Sequence, residues 1–80
     1  MPKIKVFSGK DVIKILGSLG FVIGSQKGSH VKLIRFKSKE KQVLVIPNHK
    51  EIDRGTLRAI LRQMTKYIQE EKIKKYFYSD

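Results

Sequence analysis

Eighty residues with no cysteine carry eighteen Lys and Arg against seven Asp and Glu, a formal charge of +11. A chain this short builds one domain with a small core, and it can use neither disulfides nor a thiolate zinc site for support. It has no apolar run long enough for a signal peptide or a membrane span, so a cytoplasmic protein is expected.

The charge excess favours a polyanionic partner, because each neutralised phosphate releases condensed counterions. Solubility alone is the plainer explanation of the same charge. An anionic membrane is disfavoured, since no basic amphipathic stretch carries a bulky apolar face. Charge by itself decides neither between DNA and RNA nor between binding and cleavage.

Ser8 followed by Asp11 resembles a capping box, and Val12, Ile13, Leu16 and Leu19 then recur at helical spacing until Gly20. Phe21 to Gln26 reads as a short strand and Lys27-Gly28 as a turn. His30 to Phe36 reads as a second strand, Lys37 to Lys41 as a charged turn, and Gln42 to Ile46 as a third strand closed by Pro47. After a polar loop from Pro47 to Arg54, the residues Leu57, Ile60, Leu61, Met64 and Ile68 fit one helical stripe, with Asp53 or Thr56 as its cap. The predicted class is α+β in the order α-β-β-β-α, a three-stranded antiparallel sheet with both helices on one face. That is the order of the double-stranded-RNA-binding fold.

Lys27-Gly28-Ser29-His30 is the segment suited to chemistry. Histidine exchanges protons near cellular pH, and RNA supplies its own nucleophile in the 2′-hydroxyl. Lys27 and Lys32 suit a phosphate and the charge that develops on it. Gly28 lets backbone approach a ligand, and Ser29 offers a hydrogen bond. Strand alternation puts His30 and Lys32 on one face and Val31 and Leu33 on the other. Ile34 and Phe36 share the parity of His30, so either a bulge shifts the register or that face is partly covered.

His49 follows Pro47 and Asn48 as a second acid or base, or as an ordinary loop residue. Two histidines without cysteine or a paired acidic cluster argue against a metal nuclease, and no cofactor is expected. Arg58, Arg62 and Lys66, four residues apart, form either a solvated helix face or a contact with RNA backbone.

The order Ser8-Gly9-Lys10, Gly20-Phe21, Gly28-Ser29-His30, Ile46-Pro47-Asn48-His49, Gly55-Thr56-Leu57-Arg58 and Ile60-Leu61-Arg62-Gln63 resembles the HicA (YcfA-like) mRNA interferase toxins. The resemblance runs from about Ser8 to Gln63. It implies a type II toxin acting as a metal-independent endoribonuclease on mRNA, with His30 as the catalytic residue and a HicB-type antitoxin as partner. It also implies one HicA-like domain over residues 1–80, with a motif-bearing core at about 8–66. Residues 67–80 are an extension in which Ile73, Tyr76 and Phe77 form either a further packed helix or an aromatic patch.

Two other readings stand beside it. A non-catalytic double-stranded-RNA-binding module explains the charge, but it calls for a lysine cluster where the second helix begins. Asp53-Arg54-Gly55-Thr56 occupies that position. A small basic adaptor requires no role for His30 at all.

Overall fold

The computed structural model describes residues 3–79. Its elements are β1 (Lys3–Ile4), α1 (Gly9–Ser18), β2 (Val22–Lys27), β3 (His30–Lys37), β4 (Glu40–Pro47), α2 (Arg54–Met64), α3 (Glu70–Phe77) and β5 (Tyr78–Ser79). Strands β2, β3 and β4 form an antiparallel three-stranded sheet in that order, and β1 pairs with β5 in a separate two-stranded ribbon. The expected α+β arrangement is therefore present, with a third helix and the ribbon added to it.

Local chemistry sets the helix boundaries. The Asp11 N–H donates to Ser8 Oγ at 3.1 Å and the Ser8 N–H donates to the Asp11 carboxylate at 3.0 Å, a reciprocal capping box. Asp53 caps α2, accepting from the Thr56 N–H at 3.0 Å and from the Thr56 hydroxyl at 2.6 Å. The stripe read through Ile68 is not one continuous helix. α2 stops at Met64, the Thr65 hydroxyl turns back to the Arg62 carbonyl at 2.6 Å, and Ile68 is buried from the turn that follows. Burial alone gave Ile68 the spacing of a helical residue.

The core lies between one sheet face and the helices. Val31, Leu33, Leu44 and Ile46 point into it from β3 and β4. Val12 and Leu16 of α1 meet them, as do Leu57, Ile60, Leu61 and Met64 of α2 at the i, i+3, i+4, i+7 spacing of one helical face. Each such side chain contributes about 1.5–3 kcal/mol on full burial. The segment after Ile68 joins this core: Ile73 and Phe77 of α3 are buried, and the Phe77 ring lies 5.0 Å from that of Phe7, tilted by 59°.

The bulge question has a definite answer. β3 pairs with β4 without interruption from His30 opposite Pro47 to Lys37 opposite Glu40, so the parity of β3 never shifts. The extra residue is in β2, at Gly24, between the Ile23–Leu33 and Ser25–Lys32 pairs. There the Ile34 side chain fills the space a Cβ on Gly24 would need, which accounts for its partial burial. Phe36 remains 72 % exposed on the face away from the helices.

Candidate active site

The β2–β3 hairpin turns through two residues, Gly28 and Ser29. Gly28 has φ +59°, the left-handed conformation that a tight hairpin needs and that glycine adopts without a Cβ clash. Lys27 and His30 face each other across this turn as a direct cross-strand pair, with Cβ atoms expected about 4.5–5.5 Å apart. On the other side of His30 stands Pro47 of β4. Two residues along, Lys32 lies between Ser25 and Val45 on the same face. Val31 and Leu33, almost wholly buried, fix the strand so that His30 and Lys32 project together from the uncovered face.

A second segment is fastened beside this hairpin. The Asn48 N–H donates to the Ser29 carbonyl at 2.6 Å, and the Gly9 N–H donates to the His49 carbonyl at 2.8 Å. A Cβ on Gly9 would collide with the Pro47 carbonyl oxygen and stand 2.5 Å from Asn48 Cα, so only glycine permits this approach of α1 to the loop. His49 is thus anchored through its backbone while its side chain is exposed. Ser8, Lys10, Asn48, His49 and Lys50 line a depression of about 280 Å³ at this junction.

The cationic residues singled out from the sequence do not form one cluster. Lys27, Gly28, Ser29, His30 and Lys32 share the hairpin and the open sheet face. Arg58 and Arg62 are on α2, in the helical layer across the sheet, and line a groove of about 330 Å³ with Leu61, Glu70, Ile73 and Lys74. Lys66 lies past the end of α2. Among the described residues, no group of three or more His, Asp and Glu side chains is placed to hold a metal ion.

Sequence reasoning missed Arg35 altogether. Its guanidinium donates to Gln42 Oε1 at 2.7 Å, the Leu19 carbonyl at 2.8 Å and the Tyr67 carbonyl at 3.0 Å, and it covers the Phe21 ring at 4.6 Å. Lys10 and Lys50 had no assigned role either. The only signal for Lys10 was its place after Ser8-Gly9, a helix start that has to approach another backbone closely.

Chemically, the hairpin end presents an exposed imidazole between lysines on a face that extended substrate can reach. No helix among the described residues is long and apolar enough to cross a membrane. A family model described as the HicA toxin of bacterial toxin–antitoxin systems matches residues 9–65. A search of curated proteins returns no match.

Proposed function

The chain belongs to the HicA toxin family, and from that premise we propose that it is an endoribonuclease that cleaves mRNA in the cytoplasm with His30 as its catalytic residue. The observation that carries this reading is the position of His30 at the hairpin end, opposite Lys27 and level with Lys32 on the uncovered sheet face.

The chemistry requires little of the protein because the nucleophile belongs to the substrate. The neutral imidazole of His30 takes the proton of a 2′-hydroxyl as that oxygen attacks the adjacent phosphorus. The bond from phosphorus to the 5′ oxygen breaks, and the leaving oxygen takes a proton from water at this open face. The products are a 2′,3′-cyclic phosphate and a 5′-hydroxyl, and His30 returns its proton to solvent. Lys27 and Lys32 stabilise the negative charge that grows on the phosphorane oxygens. Gly28 keeps the turn free of side-chain bulk, and in this reading the Ser29 hydroxyl donates to a phosphate oxygen.

Family membership implies an antitoxin partner. We assign it to the HicB type, acting by covering His30. A duplex-binding module is less well supported, because α2 opens on the Asp53 cap and the single cation Arg54, where such a module calls for a lysine cluster.

The test is cleavage of a defined single-stranded RNA in EDTA by wild type and His30→Ala. General base catalysis contributes about 10²–10⁴-fold, so the variant should lose activity on that scale with an unchanged melting temperature. Equal cleavage by both proteins would remove His30 from the mechanism. Equal RNA binding with cleavage by neither would favour the binding module.

A further inference from the structure

We infer that the depression lined by Ser8, Lys10, Asn48, His49 and Lys50 is a second phosphate subsite, which holds the RNA backbone next to the bond cut at His30. This rests on the ribonuclease reading. It goes beyond that reading by giving His49 a positioning role and by bringing two unassigned lysines to the substrate.

The argument begins with connectivity. Pro47 stands opposite His30, and Asn48 is hydrogen-bonded to Ser29, the residue before it. His49 is two residues from Pro47, and two residues of extended chain span at most about 7 Å. With Pro47 itself about 5 Å across the ladder from His30, the backbone of His49 lies within about 12 Å of that of His30, a span that neighbouring nucleotides of one RNA strand cover. Two hydrogen bonds and the Gly9 contact hold the loop to both α1 and the hairpin, so the distance between the two sites is built into the backbone.

The donor set selects the ligand. The depression is lined from α1 by Lys10 and from the loop after β4 by Asn48, His49 and Lys50, residues that carry two ammonium groups, an imidazole and an amide. Ser8 adds no donor of its own, because its oxygen accepts from the Asp11 N–H and its side chain is also bonded to the Asp11 carboxyl. The end of α1 is not the anion receptor, because its Gly9 and Asp11 amides are engaged by His49 and Ser8. The cations carry the recognition, and they fit a phosphodiester better than a neutral group. A phosphate held here would fix the RNA chain in register with His30 without taking part in proton transfer.

The experiment uses the full chain and a fluorescent ten-nucleotide single-stranded RNA. Binding is measured by anisotropy in the His30→Ala background at several salt concentrations, and cleavage in the otherwise wild-type background. Lys10→Ala/Lys50→Ala should raise Kd about ten-fold and make the log–log salt slope shallower by about 0.7, the value for one phosphate on a single strand. In cleavage it should raise KM with kcat within two-fold. Lys72→Ala/Lys75→Ala on α3 removes the same charge from an exposed helix face and should leave Kd within two-fold. Lys10→Arg/Lys50→Arg should keep wild-type affinity.

Equal losses in the two alanine pairs would overturn the subsite and leave only net charge. So would a fall in kcat at constant KM, which would place these residues in the chemistry itself. If the wild type cleaves no RNA, the ribonuclease reading fails, and the anisotropy comparison still decides the phosphate site. If His30→Ala abolishes cleavage while the two alanine pairs bind alike, the ribonuclease reading survives and the subsite fails.

Discussion

Along β3, one strand serves two surfaces with different demands. Val31 and Leu33 on the inner face are 2 % and 1 % exposed, while His30, Lys32 and Phe36 on the outer face stand in solvent. The inner face has an unbroken apolar partner layer in α1 and α2. The outer face has none among the described residues, and its apolar residues Val45, opposite Lys32, and Phe36, near the far end of the strand, remain exposed. Stability is therefore drawn from one side of the sheet, and the other side is free to be shaped by what it touches. Neighbouring residues of a single strand should respond to mutation in opposite ways.

The sharpest version of this contrast uses two cations three positions apart. Arg35 is half-buried on the inner face and joins α1, β4 and the turn after α2 through its three hydrogen bonds. Lys32 is exposed on the outer face. Arg35→Ala strands three acceptors and should cost about 2–4 kcal/mol, a large share of the stability of so small a domain. Lysine should not rescue it, because a single ammonium cannot reproduce a planar fork that satisfies three acceptors. Lys32→Ala should stay within about 0.5 kcal/mol of wild type yet weaken RNA cleavage. Urea unfolding and the cleavage assay on the same two proteins check both halves. If Arg35→Ala lowered RNA affinity at full stability, the division between the faces would be wrong.

Much of this was legible in the sequence, for physical reasons. The cap of α1 is local chemistry between Ser8 and Asp11, and the stripe of α2 follows directly from helical period, so both could be read from spacing. The hairpin carrying His30 announces itself through Gly28. Parity also placed Ile34 and Phe36 with His30, but spacing could not show that the compensating bulge falls in the neighbouring strand. Arg35 was illegible because its partners lie 7, 16 and 32 residues away, and only the packed sheet and helices bring them together. The same limit hid the junction of Lys10 with Lys50, and it kept out of sight that Arg58 and Arg62 belong to the helical layer while His30 faces away from it.

The two hairpins of the sheet extend the comparison to its ends. The one beside His30 places a glycine at its left-handed position. The one between β3 and β4 places Ser38 at φ +52° and Lys39 at φ +65°, conformations that a two-residue hairpin of this type fills best with Asn-Gly. Ser38→Asn/Lys39→Gly should relieve that strain and add about 1 kcal/mol, raising Tm by roughly 4–8 °C. Cleavage should be unaffected, since this turn closes the sheet end opposite His30. An unchanged Tm would mean the strain is absorbed elsewhere, and altered cleavage would mean the two ends of the sheet are coupled.

The smallest effect tests the caps that position both helices. Hydrogen bonds from the Ser8 backbone and then its side chain hold the Asp11 carboxyl below its ordinary value, and the Thr56 side chain and then its backbone do the same for Asp53. A carboxyl depressed in the folded state contributes stability that is fully present above its unfolded value, near 4, and is lost as pH falls through the lower folded value. Thermal stability should therefore not change through these groups between pH 7 and pH 5, and should decline below about pH 4. Asp53→Asn keeps an equally good cap but cannot titrate, so it should match wild type at pH 7 and lose less on acidification. Melting curves from pH 7 down to about 2.5 make the comparison. Parallel acid losses in the two proteins would show that the Asp53 carboxylate contributes nothing specific to the start of α2, and that the acid transition arises from other carboxylates.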